Sequence, residues 1–450
     1  MNIDKFIEIL FNTAKQKGLS DYEVYYEKSR SFSVNIYEGD IEEYKNSLNM
    51  GLSFRTLYNG QMGYAYTENI DEASITLLVD EAIANAAALE RETVEFLYEG
   101  EEKYEDVDNY KGEIEKIDTD KKINLVKKIE AEAKKIDDRV KSLQYCLYKE
   151  AIVERIIANS KGLRLTDKMD YAYCYINVVV KENDDAKTSE AELAIDRFDE
   201  TNFELFAKET VDEAISLLGA KSIKSGSYDV IIKNKTFALL LREMINVFSA
   251  EAVEKGLSMF ANKIGDKVAT EDLTIIDDPY LKGRLNTKAF DDEGVGTKVK
   301  KVIEKGVLNT YLHNLKTSKK AGIESTGNGK RNSYKGEIGI SPFNLYIEPG
   351  DKDLDEMKKE LNTGLLLIKL DGLHAGLNTI SGDFSLIASG YYIENGEIKK
   401  PVNQITLAGN FFDVLRNIDV IGSDLKFEED SVKGIGSPSV LIRNMKIAGE

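Results

Sequence analysis

Two stretches of this chain read alike, and the likeness limits the folds open to it. The first is DYEVYYEKSRSFSVNIYEGDIEEYKNSLNMGLSFRTLYNGQMGYAY. The second is VKSLQYCLYKEAIVERIIANSKGLRLTDKMDYAYCYINVVVKEN. Both are rich in Tyr, Val and Ile, and both are interrupted by Gly, Asn, Asp and Ser steps that suit hairpin turns. Each holds a Gly-Leu pair, Gly51-Leu52 and Gly162-Leu163, and a Tyr-rich strand. The first group is expected to form four short antiparallel strands. The recurrence reads as a diverged internal duplication.

Helices flank the strand groups. Ile3, Phe6, Ile7, Leu10 and Ala14 recur at helical spacing, and Gly18 stands where a C-terminal cap belongs. The spacing predicts further helices over Asp71–Leu89, Thr119–Ile136 and about Asn202–Leu218. The acidic stretch from Glu90 to about Lys116 reads as a surface connection. The texture changes near residue 222. SYDVIIKNK reads as a strand, and Thr236 to about Glu254 as one long apolar helix. Beyond Ala261 the chain is strands and Gly-rich turns, with one helix near Leu354–Thr363. The expected fold class is α+β. A mixed domain with antiparallel strands spans 1–221, and a mainly β domain with one long buried helix spans 222–450.

Charge narrows the function classes. There are 60 Lys and Arg against 79 Asp and Glu, a formal net charge of −19. The basic residues are interleaved with acids, so no concentrated patch is available to read a phosphate backbone or an anionic membrane. No apolar run approaches the roughly 18–20 residues that span a bilayer. The N-terminal stretch MNIDKFIEILFNTAKQKG carries acids within its apolar run and does not read as a signal peptide. The two cysteines, Cys146 and Cys174, lie in strand-like segments and read as structural thiols. A cytoplasmic location is the expectation.

The search for chemistry finds little. The two histidines, His313 and His374, are too far apart in sequence for a helical ligand pair. No Gly-x-Ser-x-Gly elbow, Walker A loop or dinucleotide fingerprint is present. Three Gly-rich segments remain: AFDDEGVGTK (Ala289–Lys298), ESTGNGKR (Glu324–Arg331) and DGLHAGLNTISGDFSLIASG (Asp371–Gly390). They read either as tight turns or as loops that hold a peptide or a partner. On the second reading Asn328, Gly329, Asp371, Gly372, His374 and Gly376 are the candidate contacts. Asp291, Asp292 and Glu293 invite a paired-carboxylate reading, but adjacent acids before a Gly suit a solvated turn better.

Those segments carry a resemblance. FDDEGVGTK, STGNGKR, the stretch GLHAGLNTISGDFSLIASGYYIENGEIKKPVNQITLAGN and the terminal GIGSPSVLIRNMKIAG together resemble the TldD/PmbA family. The EGDIEEYKNSLNMGLSFRTLYNGQMGYAYT segment extends the match toward the N-terminus, so it covers essentially the whole chain. The resemblance implies a two-component peptidase acting on unfolded peptides. In that family a TldD-type subunit binds zinc through a helical His-Glu-x-x-x-His motif and a Cys near the C-terminus. The corresponding helix here reads FALLLREMINVFSAEAVEKG, which puts the motif positions on Arg242, Glu243 and Val247. Only the Glu is retained, and SDLKFEEDSVKGIGSPSV contains no Cys. Imidazole and thiolate, which zinc prefers, are missing from all the ligand positions.

The resemblance therefore implies a metal-free PmbA (TldE) type subunit. Zinc is expected in a TldD-type partner, no cofactor in this chain, and no catalytic residue. Glu243 is expected to make a structural ion pair or to lie at the surface. The family's historical description as a modulator of DNA gyrase leaves an alternative, a non-enzymatic regulator of a partner protein. A self-dimer is as compatible with these residues as a hetero-pair.

Overall fold

The computed structural model describes residues 1–89, 95–195, 197–428 and 434–450. The first part of the expected 90–116 connection and part of the C-terminal acidic segment lie outside these residues.

The two strand groups join in one antiparallel sheet. Helix α1 (Ile3–Gln16) leads into β1 (Tyr22–Tyr37), β2 (Asp40–Tyr58) and β3 (Gln61–Thr67), and α2 (Glu72–Ala87) follows. Helix α3 (Thr119–Ile136) leads into β4 (Val140–Asn159), β5 (Arg164–Glu182) and β6 (Asp185–Ala194), and α4 (Phe203–Ser216) follows. The strand order is β3-β2-β1-β4-β5-β6, with β1 antiparallel to β4. The same element order thus occurs twice and meets at the centre of the sheet.

Two expectations change in detail. The first group forms three strands rather than four, because the Asn46–Gly51 region stays paired with β1 instead of turning. The Gly-Leu pairs are also not equivalent: Gly51 lies within β2, whereas Gly162 lies in the β4–β5 turn. The better correspondence is the hairpin pair Asn59-Gly60 and Asn183-Asp184. Asn59 and Asn183 take φ of 51° and 53°, values that Asn tolerates better than most residues.

One face of this sheet rests on the helices. Phe6, Leu10, Val24, Tyr26, Leu52, Phe54, Leu78 and Val79 share one buried cluster. Val34, Val126, Ile129, Cys146, Cys174, Ile176 and Val211 share another. Both cysteines are buried and unoxidised, and burial pushes their thiols up.

Among the described residues the remaining strands form two further six-stranded sheets and a two-stranded one, Gly329–Arg331 with Ile338–Ile340. Gly226–Ile232, Thr363–Asp371, Asp383–Glu394, Glu397–Asn410 and Val440–Ala448 pair in a closed ring, a β-barrel. A second six-stranded sheet includes Lys300–Glu304, Ile275–Asp277, Leu345–Ile347, Ile435–Ser437 and Lys426–Phe427. Helix α5 (Asn234–Met244) packs in the large core between these sheets through Phe237, Leu240, Leu241 and Met244. The apolar segment is helical but not continuous. A 3-10 turn covers Ile245–Phe248, Ser249 is extended, and α6 (Ala250–Glu254) starts anew with the Ser249 hydroxyl accepting from Ala252 N. Ser249 is also bridge-paired with Leu312, which holds the break in place. Among the described residues no helix is long and apolar enough to cross a membrane.

Candidate functional site

The free face of the first sheet is where the two halves of the chain meet. Successive side chains of a strand point to opposite faces. Tyr22, Val24 and Tyr26 therefore serve the helix side, and Glu23 and Tyr25 the other, yet all five are buried. Odd-numbered positions of neighbouring strands add Gly51, Arg55, Arg155 and Asp167 to that second face. The loops 289–298 and 324–334 cover it. Tyr334 packs with Tyr25, Ile157 and Leu163, and a Cβ on Gly51 would lie 2.2 Å from the Tyr334 ring. Glycine at 51 is what lets that ring lie on the sheet.

The two loops form one unit. Asp291 Oδ2 accepts the Gly329 N–H at 2.7 Å, and Asp292 Oδ2 accepts the Arg331 N–H at 2.8 Å. The Gly329 carbonyl accepts the Asp292 N–H at 2.9 Å. A Cβ on Gly329 would stand 2.7 Å from Glu293 and 2.9 Å from Asp291, so close approach to the carboxylates requires glycine there. Gly294 and Gly327 take φ of +86° and +67°, as turns need.

The acids 291–293 are not a solvated turn. Each is at most 3% exposed. Solvation would be lost on covering the sheet, and buried charges persist only when paired or neutralised. The three acids meet this demand differently. Burial opposes ionisation of Asp292, but Lys288, Lys330 and Arg155 outweigh it and hold its carboxyl well below the usual range. Burial pushes Asp291 up, and the neighbouring Glu293 adds to this. Glu293 is pushed up to about 7 by burial, against the opposing Arg55 charge and a hydrogen bond from Leu315 N.

Buried ion pairs stitch the loops to the sheet. Arg55 Nε donates to Glu23 Oε1 at 2.7 Å, and Arg331 Nη2 reaches the same oxygen at 3.4 Å. Arg155 pairs with Glu27 at 2.9 Å and Asp167 at 3.2 Å, and Lys288 reaches Asp167 at 3.2 Å. Beside this network lies a cleft of about 310 Å³. Arg55, Tyr64 and Glu293 line it from the sheet and loop side, and Glu254 of α6 and Lys316 of α7 (Leu315–Ala321) line it opposite.

The structure separates the candidate loop contacts. Asn328 is fully buried, donating to Asp277 at 2.9 Å and to the Ser341 carbonyl at 3.0 Å. Gly329 is buried against Asp291 and Glu293. Both hold the network together, so in this conformation neither lies on an exposed loop as the contact reading expects. Asp371, Gly372, His374 and Gly376 sit at the end of a barrel strand, in the short helical turn Leu373–Gly376, where Asp371 and His374 are exposed. No described hydrogen bond or ion pair joins that turn to Asn328 or Gly329.

The motif positions, Arg242 and Glu243 on α5 and Val247 in the 3-10 turn after it, fall elsewhere again. Arg242 Nη2 pairs with Glu243 at 2.6 Å, and Arg242 Nη1 pairs with Glu428. Glu428 follows strand Lys426–Phe427, so the helix and the C-terminal segment that the resemblance links are neighbours in space. Val247 is 1% exposed, inside the main hydrophobic core. These residues do not fit zinc. Arg242 carries a fixed positive charge already satisfied by carboxylates, and Val247 offers no donor atom. Among the described residues no group of three or more His, Cys, Asp or Glu is arranged to hold a metal ion.

Sequence reasoning misses Glu23, Arg55 and Tyr64. A signal was present: Glu23 and Arg55 interrupt apolar strands on the face opposite Val24 and Phe54. A charged residue in a strand buried on both faces must have a partner; Glu23 and Arg55 pair with each other, but the third member, Arg331, is far along the chain.

Known proteins share the sequence pattern and the fold of this chain. The models for PmbA/TldA metallopeptidase domain 1, central domain and C-terminal domain match residues 22–86, 112–218 and 225–449 in turn. A metalloprotease of Methanocaldococcus jannaschii is 29% identical over 408 residues, which is 88% of each chain. A candidate modulator of a DNA gyrase from Thermotoga maritima is 34% identical with a TM-score of 0.91, covering 99% of this chain and 100% of that one. TldE from Thermococcus kodakarensis shares the fold at 23% identity and a TM-score of 0.89, with 99% and 100% covered. The three family domains follow one another through both halves, and the chain belongs to the PmbA/TldD metallopeptidase family.

Proposed function

We propose that this chain is the metal-free, non-catalytic TldE-type subunit of a TldD/TldE-like zinc metallopeptidase that degrades or processes unfolded peptides. Zinc and the catalytic Glu come from a TldD-type partner, and this chain closes the chamber and helps to hold the peptide. The observation that carries the reading is Arg242, whose guanidinium pairs with Glu243 and Glu428 where the family motif calls for a first metal ligand. Glu243, the retained motif residue, is engaged by that cation and has no metal-bound water to activate.

The sheet edge suits the holding role. Every residue of β2 from Asp40 to Met50 is exposed, and β3 begins to pair with β2 only at Leu52. This length has β1 on one side and no second neighbour among the described strands. Ile41, Tyr44 and Leu48 are 46%, 50% and 56% exposed. An extended peptide or a partner strand adds to such an edge by main-chain hydrogen bonds.

The chain assayed alone is expected to show no metal-dependent cleavage of an unfolded peptide, and cleavage is expected when a TldD-type subunit is added. Substantial chelator-sensitive cleavage by the chain alone overturns the proposal. The Thermotoga relative, a candidate modulator of a DNA gyrase, favours a second reading, a regulator that binds a protein such as DNA gyrase. Recovery of a topoisomerase, and no peptidase subunit, on co-purification would support it.

A further inference from the structure

The cleft between the sheet and helices α6 and α7 contains one donor that the fold does not use. Arg55 has a side chain 3% exposed. Its Nε serves Glu23, and its Nη1 donates to the Tyr64 hydroxyl at 3.2 Å. Its Nη2 is buried and has no hydrogen-bond partner among the described residues. A charged donor buried without a partner is costly, so the position favours an incoming acceptor.

The surroundings limit what can fill it. Arg331 shares the Glu23 carboxylate, and its Nε and Nη1 lack hydrogen-bond partners among the described residues, although its guanidinium lies over the Tyr25 and Tyr64 rings. Two buried guanidinium groups thus share the Glu23 carboxylate, and Glu293 is the other buried acid whose charge they feel. The other cations of the cleft are engaged at its mouth: Lys316 with Glu95 at 3.0 Å, Lys320 with Glu254 at 2.7 Å, and Lys255 with Glu251 at 2.7 Å. Glu337 lines the cleft as well, and these acids make it hostile to a polyanion. The volume of about 310 Å³ stands at the lower end of small-ligand sites, which run from about 300 to about 1,000 Å³. It admits the end or one side chain of an extended peptide, not a folded domain.

We propose that this cleft is a carboxylate-binding site, in which Arg55 Nη2 takes an oxygen of a peptide's terminal or side-chain carboxylate. The ligand's being a peptide rests on the peptidase reading; its being a carboxylate rests on the cleft alone.

The test uses the full chain without a partner, so it does not depend on cleavage. Binding of acetyl-trialanine with a free C-terminus, of its carboxamide, and of acetyl-Ala-Asp-Ala carboxamide is measured by isothermal titration calorimetry. One carboxylate peptide is expected to bind about tenfold or more tighter than the uncharged carboxamide, as charge-assisted hydrogen bonds imply. The terminal and side-chain arms identify the source of the carboxylate. Arg55→Lys keeps the charge beside Glu23 but not the planar fork, and should erase the preference. Circular dichroism confirms that this variant is folded, and the comparison among peptides on the unaltered chain stands even if it is not. Equal affinity for all three peptides, or no binding of either carboxylate peptide at millimolar concentration, overturns the proposal and leaves an ordered water as the partner of Arg55. Partner-dependent peptidase activity is untouched by that outcome.

Discussion

Replacing Glu23 by Gln is expected to destabilise the chain by about 3–5 kcal/mol, the range found when one partner of a buried ion pair is removed. Glu23 is 1% exposed and pairs with Arg55 and Arg331, whose side chains are 3% and 1% exposed. Gln keeps the shape but removes the charge, and deprives two buried guanidinium groups of the carboxylate that both reach. The loss should appear as a lower urea midpoint. Arg331→Met in the same chain should recover part of it, because the uncompensated cation is gone and the two changes are coupled. A loss below about 1 kcal/mol for Glu23→Gln would be the cost of an exposed pair, and would mean that the two halves do not meet as described. The same contact links the site to the fold, since Arg331 belongs to the loop that holds Asp291 and Asp292.

The second large effect is on the pH dependence of stability. The Glu293 carboxyl stands at about 7 in the folded chain against an ordinary 4.5. Between these values the folded state holds the proton and the unfolded state does not. Stability therefore falls as pH rises from about 4.5 to about 7, and the full cost is present above about 7. A shift of this size sets an upper bound of roughly 3 kcal/mol. Glu293→Gln removes that titration, so the variant should gain on the unaltered chain as pH rises from about 4.5 to about 8. Asp291 is raised in the same direction, so the slope should shrink rather than vanish. Urea midpoints of both chains across this range provide the check. Parallel slopes would mean that Glu293 is ionised and paired in the folded state.

Much of the fold is legible in the sequence because its signals are local. The apolar spacing of α1 and α3 and the Tyr- and Val-rich strands follow from periodicity alone. The duplication is legible as well, although Asn59 and Asn183 mark it better than the Gly-Leu pairs, since turn conformation and not dipeptide identity is what recurs. The break at Ser249 was not legible, because it depends on pairing with Leu312. The site was less legible still. Asp291–Glu293 look like a solvated turn until Gly329, Arg331 and the sheet face close over them, and these contacts span long sequence separations. Arg242 and Val247 were located through the family motif. What the structure adds is their engagement: one in ion pairs with Glu243 and Glu428, the other in the main core.

The central claim is that this chain does not itself carry the family's zinc. The most direct measurement is the metal content of the purified chain after expression with zinc supplied, read by inductively coupled plasma mass spectrometry, alone and in complex with a TldD-type subunit. Far less than stoichiometric zinc is expected on the chain alone, and stoichiometric zinc only in the complex. Tightly held, stoichiometric zinc on the chain alone, lost in a Glu243→Gln variant, would contradict it.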